Sequence, residues 1–237
     1  MLFFDTFFLK KEGIDMNKNL KKGFCFICLF VIWTLMVLMI DVKSVGVNGT
    51  NIGLSTLNVA FHQMIGFNER LYIVTDWLGL IPVLICMFFG FVGLIQWIKR
   101  KNLFQVDFDI LILGIYYFLV IASYVLFEMI LINYRPILID GRMEVSYPSS
   151  TTLLVLSVML SLYEQVNRRI KHLKYRKIMS VFIFCFTLFM ILGRIISGVH
   201  WISDIIGSLF ICFGYYFMYK GIVEKEELWN FMKSFKN

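Results

Sequence analysis

Hydrophobic positions in this sequence form long unbroken runs, and polar positions are concentrated in the segments between them. Six runs approach the roughly 20 apolar residues that a helix needs to cross the ~30 Å hydrocarbon layer of a bilayer. They lie at residues 24–40, 77–98, 108–132, 149–166, 178–196 and 200–219. The pattern predicts an all-α fold, an integral membrane six-helix bundle.

The composition supports a bilayer as the surroundings of the chain. Hydrophobic residues make up 59% of the 237 positions, charged residues make up 16%, and the mean hydropathy is +0.76. A soluble domain of this size would leave large apolar patches in water. The net charge of +7 does not indicate nucleic acid, because the basic residues lie between the apolar runs. We therefore expect the lipid bilayer, and no nucleic acid, as a partner.

The basic residues predict the orientation of the chain. All but five of the 23 Lys and Arg residues lie in the N-terminal segment, the connections at 99–101 and 168–177, and the C-terminal segment. Segments rich in Lys and Arg stay on the cytoplasmic side. Both termini are therefore predicted to be cytoplasmic, in a multi-pass protein of the plasma membrane.

The same pattern predicts three parts in the chain. A cytoplasmic segment at 1–23 precedes the membrane domain at 24–220, whose core is 108–220, and a cytoplasmic tail covers 221–237. We interpret residues 1–15 as an upstream extension, since a second methionine at position 16 is followed by a basic stretch. Part of the long external connection at 44–76 is predicted to lie as an interfacial helix.

The five cysteines give no sign of a metal or disulfide site. All lie inside apolar runs, and Cys25 and Cys28 form a C-x-x-C spacing. No second pair and no neighbouring histidine completes a ligand set, so we interpret these thiols as packed or lipid-facing and expect no metal.

Three polar clusters lie at the predicted outer ends of the spans. The first contains Glu128 and Asn133-Tyr134-Arg135-Pro136, the second is Tyr147-Pro148-Ser149-Ser150-Thr151-Thr152, and the third runs from Arg194 to Asp204 through His200. An ionisable residue at membrane depth is expensive and indicates function. Arg142 lies between the first two clusters.

The chemistry of these clusters suits an anion. An arginine fork matches phosphate oxygens, and a helix that starts at Pro148-Ser149-Ser150 presents free backbone N–H groups and a positive dipole. His200 and Asp204 are spaced i, i+4, so on one helix they share a face and the carboxylate can orient the imidazole for attack. Each cluster also has a structural interpretation: a helix cap, an arginine reaching the headgroups, or a structural His–Asp pair.

Together the clusters resemble the three motifs of the type 2 phosphatidic acid phosphatase (PAP2) superfamily. Arg194-x5-His200-x3-Asp204 resembles the third motif. Pro148-Ser149-Ser150-Thr151 resembles the second motif, which is normally Pro-Ser-Gly-His or Pro-Ser-Ser-His. Arg135-Pro136 resembles the end of the first motif, which is normally Lys-x6-Arg-Pro. The resemblance implies a phosphomonoesterase or lipid diphosphate hydrolase that uses no metal or other cofactor. It implies lipid phosphates or polyprenyl diphosphates as substrates, met on the outer face of the membrane.

The resemblance also assigns a role to each matching residue. His200 is the expected nucleophile, which forms a phosphohistidine, and Asp204 orients it. Arg135, Arg194 and the Ser149–Ser150 backbone are expected to hold the phosphoryl oxygens while charge redistributes in the transition state.

Two departures from the family motifs leave alternatives open. Glu128 stands at the lysine position of motif one, where it can pair with Arg135 or Arg142 or act as the acid, and Thr151 replaces the histidine that protonates the leaving group. The alternative to an enzyme is a catalytically inactive relative that binds lipid phosphate or serves as a membrane interaction partner. A transporter is disfavoured, because the two halves of the chain show no repeat.

Overall fold

The structure is a computed structural model that describes the backbone of residues 2–234 and the side chains of residues 18–225. Its helices are α1 (Leu2–Met39), α2 (Ser55–Ile65), α3 (Glu69–Leu78), α4 (Leu80–Arg100), α5 (Phe108–Met129), α6 (Ser150–Arg169), α7 (Leu173–Ser197) and α8 (Ile202–Ser234). Short 3-10 turns lie at Val47–Gly49 and Leu103–Gln105. The described part of the chain contains isolated β-bridges but no strand, which confirms the all-α prediction.

Five helical segments are long and apolar enough to cross a membrane. They are Lys18–Met39, Glu69–Arg100, Phe108–Met129, Leu173–Ser197 and Ile202–Lys225. The predicted fourth span corresponds to α6, which has 20 residues but does not reach the same hydropathy. The count of six spans therefore stays a prediction.

The lower hydropathy of α6 follows from its position in the bundle. This helix packs against α4, α5, α7 and α8, and most of its residues are buried. Ser157, Ser161 and Gln165 face neighbouring helices, where Gln165 donates a 2.9 Å hydrogen bond to the Tyr219 hydroxyl. A helix that is surrounded by protein can carry polar groups that a lipid-exposed helix cannot satisfy.

The second predicted span at 77–98 corresponds to α4, at Leu80–Arg100. A separate helix, α3, precedes it from Glu69 and gives way to α4 at Gly79. Pro82 lies in the first turn of α4, where its missing N–H is tolerated because the first-turn N–H groups have no intrahelical acceptor. The apolar run therefore predicted the bounds of α4 to within three residues but did not reveal α3.

The external connection at 44–76 contains two packed helices, α2 and α3. Asn58 on α2 is fully buried and donates hydrogen bonds to Gly53 O (2.8 Å) and to Ser203 Oγ of α8 (2.9 Å). On α3, Thr75 faces α7 so closely that a Cβ at Gly193 would lie 2.6 Å from its Cγ2. These contacts hold α2 against the start of α8 and α3 against the end of α7.

A β-hairpin-like loop connects α5 to α6. Helix α5 ends at Met129, three residues before the predicted end of the third span at 132. Asp140 and Gly141 both have positive φ (48° and 73°), as in a tight two-residue hairpin turn. Backbone hydrogen bonds hold the arms together at the turn, between Ile139 and Arg142, and further along, from Arg135 N to Glu144 O (3.0 Å) and from Ser146 N to Asn133 O (2.9 Å).

The predicted three-part division of the chain is not tested by the fold. Its boundaries at 23/24 and 220/221 fall inside the continuous helices α1 and α8. The proposed extension at 1–15 and the part of the tail beyond residue 225 lie outside the residues whose side chains the structure describes.

Candidate active site

His200 lies in the tight turn between α7 and α8. The turn begins at Gly198, whose φ of +67° is left-handed and whose Cβ position would be 1.9 Å from Gly66 O, so only glycine fits there. Helix α8 starts at Ile202, two residues after the histidine. The prediction that His200 and Asp204 share one helix face is therefore wrong, although His200 Nδ1 still lies 3.8 Å from Asp204 Oδ2.

Ser146 connects Asp204 to His200. The Ser146 hydroxyl donates a hydrogen bond to Asp204 Oδ2 and lies 3.1 Å from His200 Nδ1. The backbone oxygen of Ser146 is also 3.1 Å from Nδ1, which can donate to it. Asp204 thus reaches the imidazole through the hairpin residue and not by a direct hydrogen bond.

Asp204 also shapes the turn that carries the histidine. It is fully buried, and its Oδ2 accepts a hydrogen bond from Trp201 N at 2.9 Å. This is the contact by which an acidic side chain in the first turn satisfies the N–H that precedes a helix. The Trp201 indole donates to Tyr134 O at 2.7 Å and so holds the turn against the hairpin.

Arg194 occupies the other side of the imidazole. Its side chain is almost completely buried, and its Nη2 lies 3.3 Å from His200 Nε2. Its Nη1 lies 3.4 Å from Thr75 Oγ1 and 3.7 Å from Asp76 Oδ1, and the guanidinium stacks over the Tyr72 ring at 5.3 Å. Helix α3 therefore fixes this arginine beside the histidine.

The surroundings of His200 favour the neutral imidazole. Burial lowers the pKa of His200 well below its ordinary value of 6.5, and the positive charges of Arg135 and Arg194 lower it further. With Nδ1 donating to Ser146 O, the lone pair lies on Nε2, next to Arg194. This is the protonation state that a nitrogen nucleophile requires at neutral pH.

Arg135 extends from the hairpin into the same region. The residue is 8% exposed, and its Nε lies 3.2 Å from Glu144 Oε2. Its buried Nη1 has no hydrogen-bond partner among the residues that the structure describes. Because a buried donor without an acceptor costs free energy, this group is suited to the oxygen of an anionic ligand.

A cavity of about 850 Å³ opens beside Arg135 and Glu144. It is lined by residues from α3, α4, α5, the hairpin and the first turn of α6, namely Tyr72, Asp76, Gly79, Leu80, Val83, Cys86, Ile121, Tyr124, Glu128, Arg135, Met143, Glu144, Val145, Ser150, Thr151 and Leu154. His200 is 5% exposed and does not contribute to this lining. Of the predicted site residues, the cavity walls therefore include Arg135, Ser150, Thr151 and Glu128.

Ser149 holds the start of α6 in place. It is fully buried, its backbone N–H donates to Asp204 O at 3.2 Å, and its hydroxyl lies 3.0 Å from Thr152 Oγ1. Its own N–H is therefore bonded within the protein. The following residues, Ser150 and Thr151, are in the helical first turn, whose N–H groups have no intrahelical acceptor.

Glu128 and Arg142, the remaining residues suggested by the sequence, take different positions. Glu128 is exposed to the cavity near the end of α5, whereas Arg142 lies at the exposed hairpin turn and does not line the cavity. In the described part of the chain, no ion pair joins Glu128 to Arg135 or to Arg142; Arg135 pairs with Glu144 instead.

Several residues of the site were not identified from the sequence. The Asp140-Gly141 pair is a hairpin signal, but the register of a two-residue turn pairs Ser146 with Arg135, two residues away from its observed partner Asn133. Thr75 and Asp76 carry no motif, because they reach Arg194 only through the packing of α3 on α7.

Two comparisons with known proteins give a match. Residues 129–227 match the sequence profile of the PAP2 superfamily. The fold is similar to the crystal structure of the first transmembrane PAP2 type phosphatidylglycerolphosphate phosphatase from Bacillus subtilis. That likeness has a TM-score of 0.53 and 18% sequence identity, and it covers 86% of this chain and 96% of the other. The search of curated proteins finds no match. The apolar helices and this fold make the chain a multi-pass membrane protein.

Proposed function

We propose that this protein is a membrane lipid phosphatase that works through a phosphohistidine at His200. The observation that carries the proposal is the buried neutral imidazole, whose Nε2 lies 3.3 Å from Arg194 Nη2. The Nη1 of Arg135, which has no hydrogen-bond partner among the described residues, supports a phosphoryl group in the same region. The match of residues 129–227 to the PAP2 superfamily and the fold likeness to a B. subtilis phosphatidylglycerolphosphate phosphatase support this proposal.

The proposed reaction has two steps. His200 Nε2 attacks phosphorus, the bond from phosphorus to the lipid oxygen breaks, and the leaving oxygen takes a proton from water, while Arg135 and Arg194 stabilise the equatorial oxygens. The Nδ1 proton stays hydrogen-bonded to Ser146, which Asp204 orients. A water molecule then attacks the phosphohistidine, breaks the P–N bond and releases inorganic phosphate and free His200.

We further propose that the site faces outward in the plasma membrane, with both termini cytoplasmic. The end of α5, the start of α6, the end of α7 and the start of α8 all meet at the site. The connections at 99–101 and 168–177 join the opposite ends of these helices and carry the basic residues. The positive-inside rule therefore supports an outer-face substrate.

An apolar groove offers a place for the lipid tail. A space of about 610 Å³ lies between α4 and α5, and Cys86 and Ile121 line both this groove and the polar cavity. Gly90, Gly93 and Gly114 contribute to its walls, where their missing side chains keep the groove open. A hydrocarbon chain whose phosphate is at Arg135 can continue directly into this groove.

Filling the groove is expected to affect long-chain substrates selectively. A Cβ at Gly114, which lines the groove, meets no atom within 4 Å, so the Gly114→Leu side chain starts in open space there. We expect kcat/KM to fall about tenfold for a long-chain lipid phosphate, the value of one or two displaced methylene contacts, and to change little for a short-chain analogue. Gly114→Ala is the control. Equal losses for both chain lengths would exclude a tail in this groove.

Phosphate release from lipid phosphates by the purified protein in detergent tests the function directly. Turnover that is lost in His200→Ala supports the enzyme. The second candidate, an inactive protein that binds lipid phosphate, is favoured by Thr151 at the position of the family's acid. Saturable binding of a lipid phosphate with no release of phosphate would establish that alternative.

The missing acid predicts a preference among leaving groups. General acid catalysis contributes roughly 10²–10⁴-fold when a lipid alkoxide must be protonated, and a phosphate leaving from a diphosphate needs a proton far less. We expect diphosphates to be hydrolysed faster, and Thr151→His to raise monophosphate hydrolysis more than diphosphate hydrolysis. The ratio of kcat/KM for the two substrates in both proteins measures this. An unchanged ratio would assign the acid to another group, and Glu128→Gln is then the next variant.

A further inference from the structure

The charges of the cavity do not suit a phosphate group alone. Three carboxylates line it, those of Asp76, Glu128 and Glu144, and Arg135 is the one basic residue among the lining residues. A bound phosphate adds further negative charge to this space. Like charges at close range repel, most strongly where water is partly excluded.

The arginines of the site already have carboxylate neighbours. Glu144 Oε2 lies 3.2 Å from Arg135 Nε, and Asp76 Oδ1 lies 3.7 Å from Arg194 Nη1. Glu128 has no ion-pair partner in the described part of the chain. The two arginines therefore lie beside two carboxylates, and Glu128 adds a third carboxylate that has no ion pair among the described residues.

The same cavity nevertheless has a place for an anion. Arg135 is buried to more than nine-tenths, and its Nη1 lacks an acceptor. The first turn of α6 presents its N-terminal end there through Ser150 and Thr151. One wall is thus suited to a phosphate, and the surrounding walls are suited to a positive charge.

An organic ammonium fits the acidic walls better than a metal ion does. No group of three or more His, Cys, Asp or Glu side chains in the described residues could hold a metal, so the carboxylates are too dispersed to form one coordination shell. Tyr72 and Tyr124 also line the cavity, and aromatic faces attract organic cations.

We propose that the cavity recognises a lipid phosphate that carries a protonated amine within a few bonds of the phosphate. The phosphate binds at Arg135, and the ammonium group lies among Glu128, Asp76 and Glu144. This deepens the proposed function, on which it rests for the turnover of such a lipid. It makes Glu128 a residue that selects the headgroup.

The test compares two lipids that differ at the nitrogen, which is a protonated amine in one and an uncharged, slightly larger amide in the other. A sphingoid-base 1-phosphate and its N-acetyl derivative have the same phosphate and the same main chain, but the second has no cation. Binding is measured with full-length His200→Ala protein in nanodiscs, where our mechanism allows no hydrolysis, and kcat/KM is measured with the wild type. We expect the free amine to be preferred about tenfold in both assays, the size of one charge-assisted hydrogen bond.

Removal of the acidic group should abolish this preference. Glu128→Gln is expected to bring the ratio of the two lipids close to one, mainly by weakening the free amine. Asp140→Asn, which removes an exposed carboxylate at the hairpin turn outside the cavity lining, should leave the ratio unchanged. A ratio near one in the wild-type site, or one that survives Glu128→Gln, overturns the headgroup proposal.

Two further outcomes separate the possible failures. Preferential binding of the free amine without any phosphate release would overturn the proposed phosphatase and support the headgroup proposal. If Mg²⁺ makes the N-acetyl lipid bind as tightly as the free amine, the acidic walls accept a metal ion, and the ammonium proposal is wrong.

Discussion

His200→Ala is expected to reduce phosphate release by at least about 10⁴-fold, because it removes the atom that forms the covalent intermediate. No other histidine can replace it. Of the three in the chain, His172 precedes α7 at the opposite end of the bundle, and His62 Nε2 lies 3.1 Å from Gly198 O. Initial rates of phosphate release in detergent measure the effect.

His172→Ala is the matched control for this variant. It removes an exposed imidazole that lies far from the site, so its rate should equal that of the wild type. Thermal unfolding of both variants shows whether the fold is kept. Substantial hydrolysis by a folded His200→Ala protein would exclude the phosphohistidine mechanism.

Asp204→Asn is expected to lower kcat by roughly 10²–10⁴-fold, as observed when the carboxylate that orients a catalytic imidazole is replaced by an amide. Ser146→Ala should lower kcat less, about tenfold, because the Ser146 backbone oxygen still lies 3.1 Å from Nδ1. The two residues act on the imidazole as one chain of hydrogen bonds. The double variant should therefore lose little more than Asp204→Asn alone.

The split between kcat and KM separates positioning from simple loss of structure. Both residues act through His200 and not on the substrate, so KM should stay within a few-fold while kcat falls. Additive losses in the double variant would mean that Asp204 and Ser146 act independently, and the connection through the serine hydroxyl would then be wrong.

The sequence was sufficient for the class of fold, whereas the site residues that it suggested stay a prediction. Apolar runs mark where helices lie in a bilayer, since every backbone group there must be satisfied internally. The pattern was less informative for α6, whose buried position permits serine and glutamine among its apolar residues. It also did not reveal α3, which begins at Glu69 in the external connection before the second span.

The relationships inside the site depended on the tertiary structure. The i, i+4 spacing of His200 and Asp204 suggested a direct pair on one helix, but Gly198 ends α7 and puts His200 in a turn. The partners of the two arginines come from α3 and from the hairpin, which no local pattern connects to the motifs. Such contacts depend on how separate helices and loops pack together, and they cannot be found from the spacing of residues along one segment.

The most direct test of the account is to trap the covalent intermediate. The purified protein is mixed with a lipid phosphate labelled at phosphorus, quenched within one turnover, and analysed by mass spectrometry under conditions that preserve P–N bonds. We expect an acid-labile, base-stable phosphoryl group on His200, absent from His200→Ala and from protein mixed with unreactive lipid. Hydrolysis that proceeds at the same rate with no phosphoprotein, or with the label on any other residue, would contradict the account.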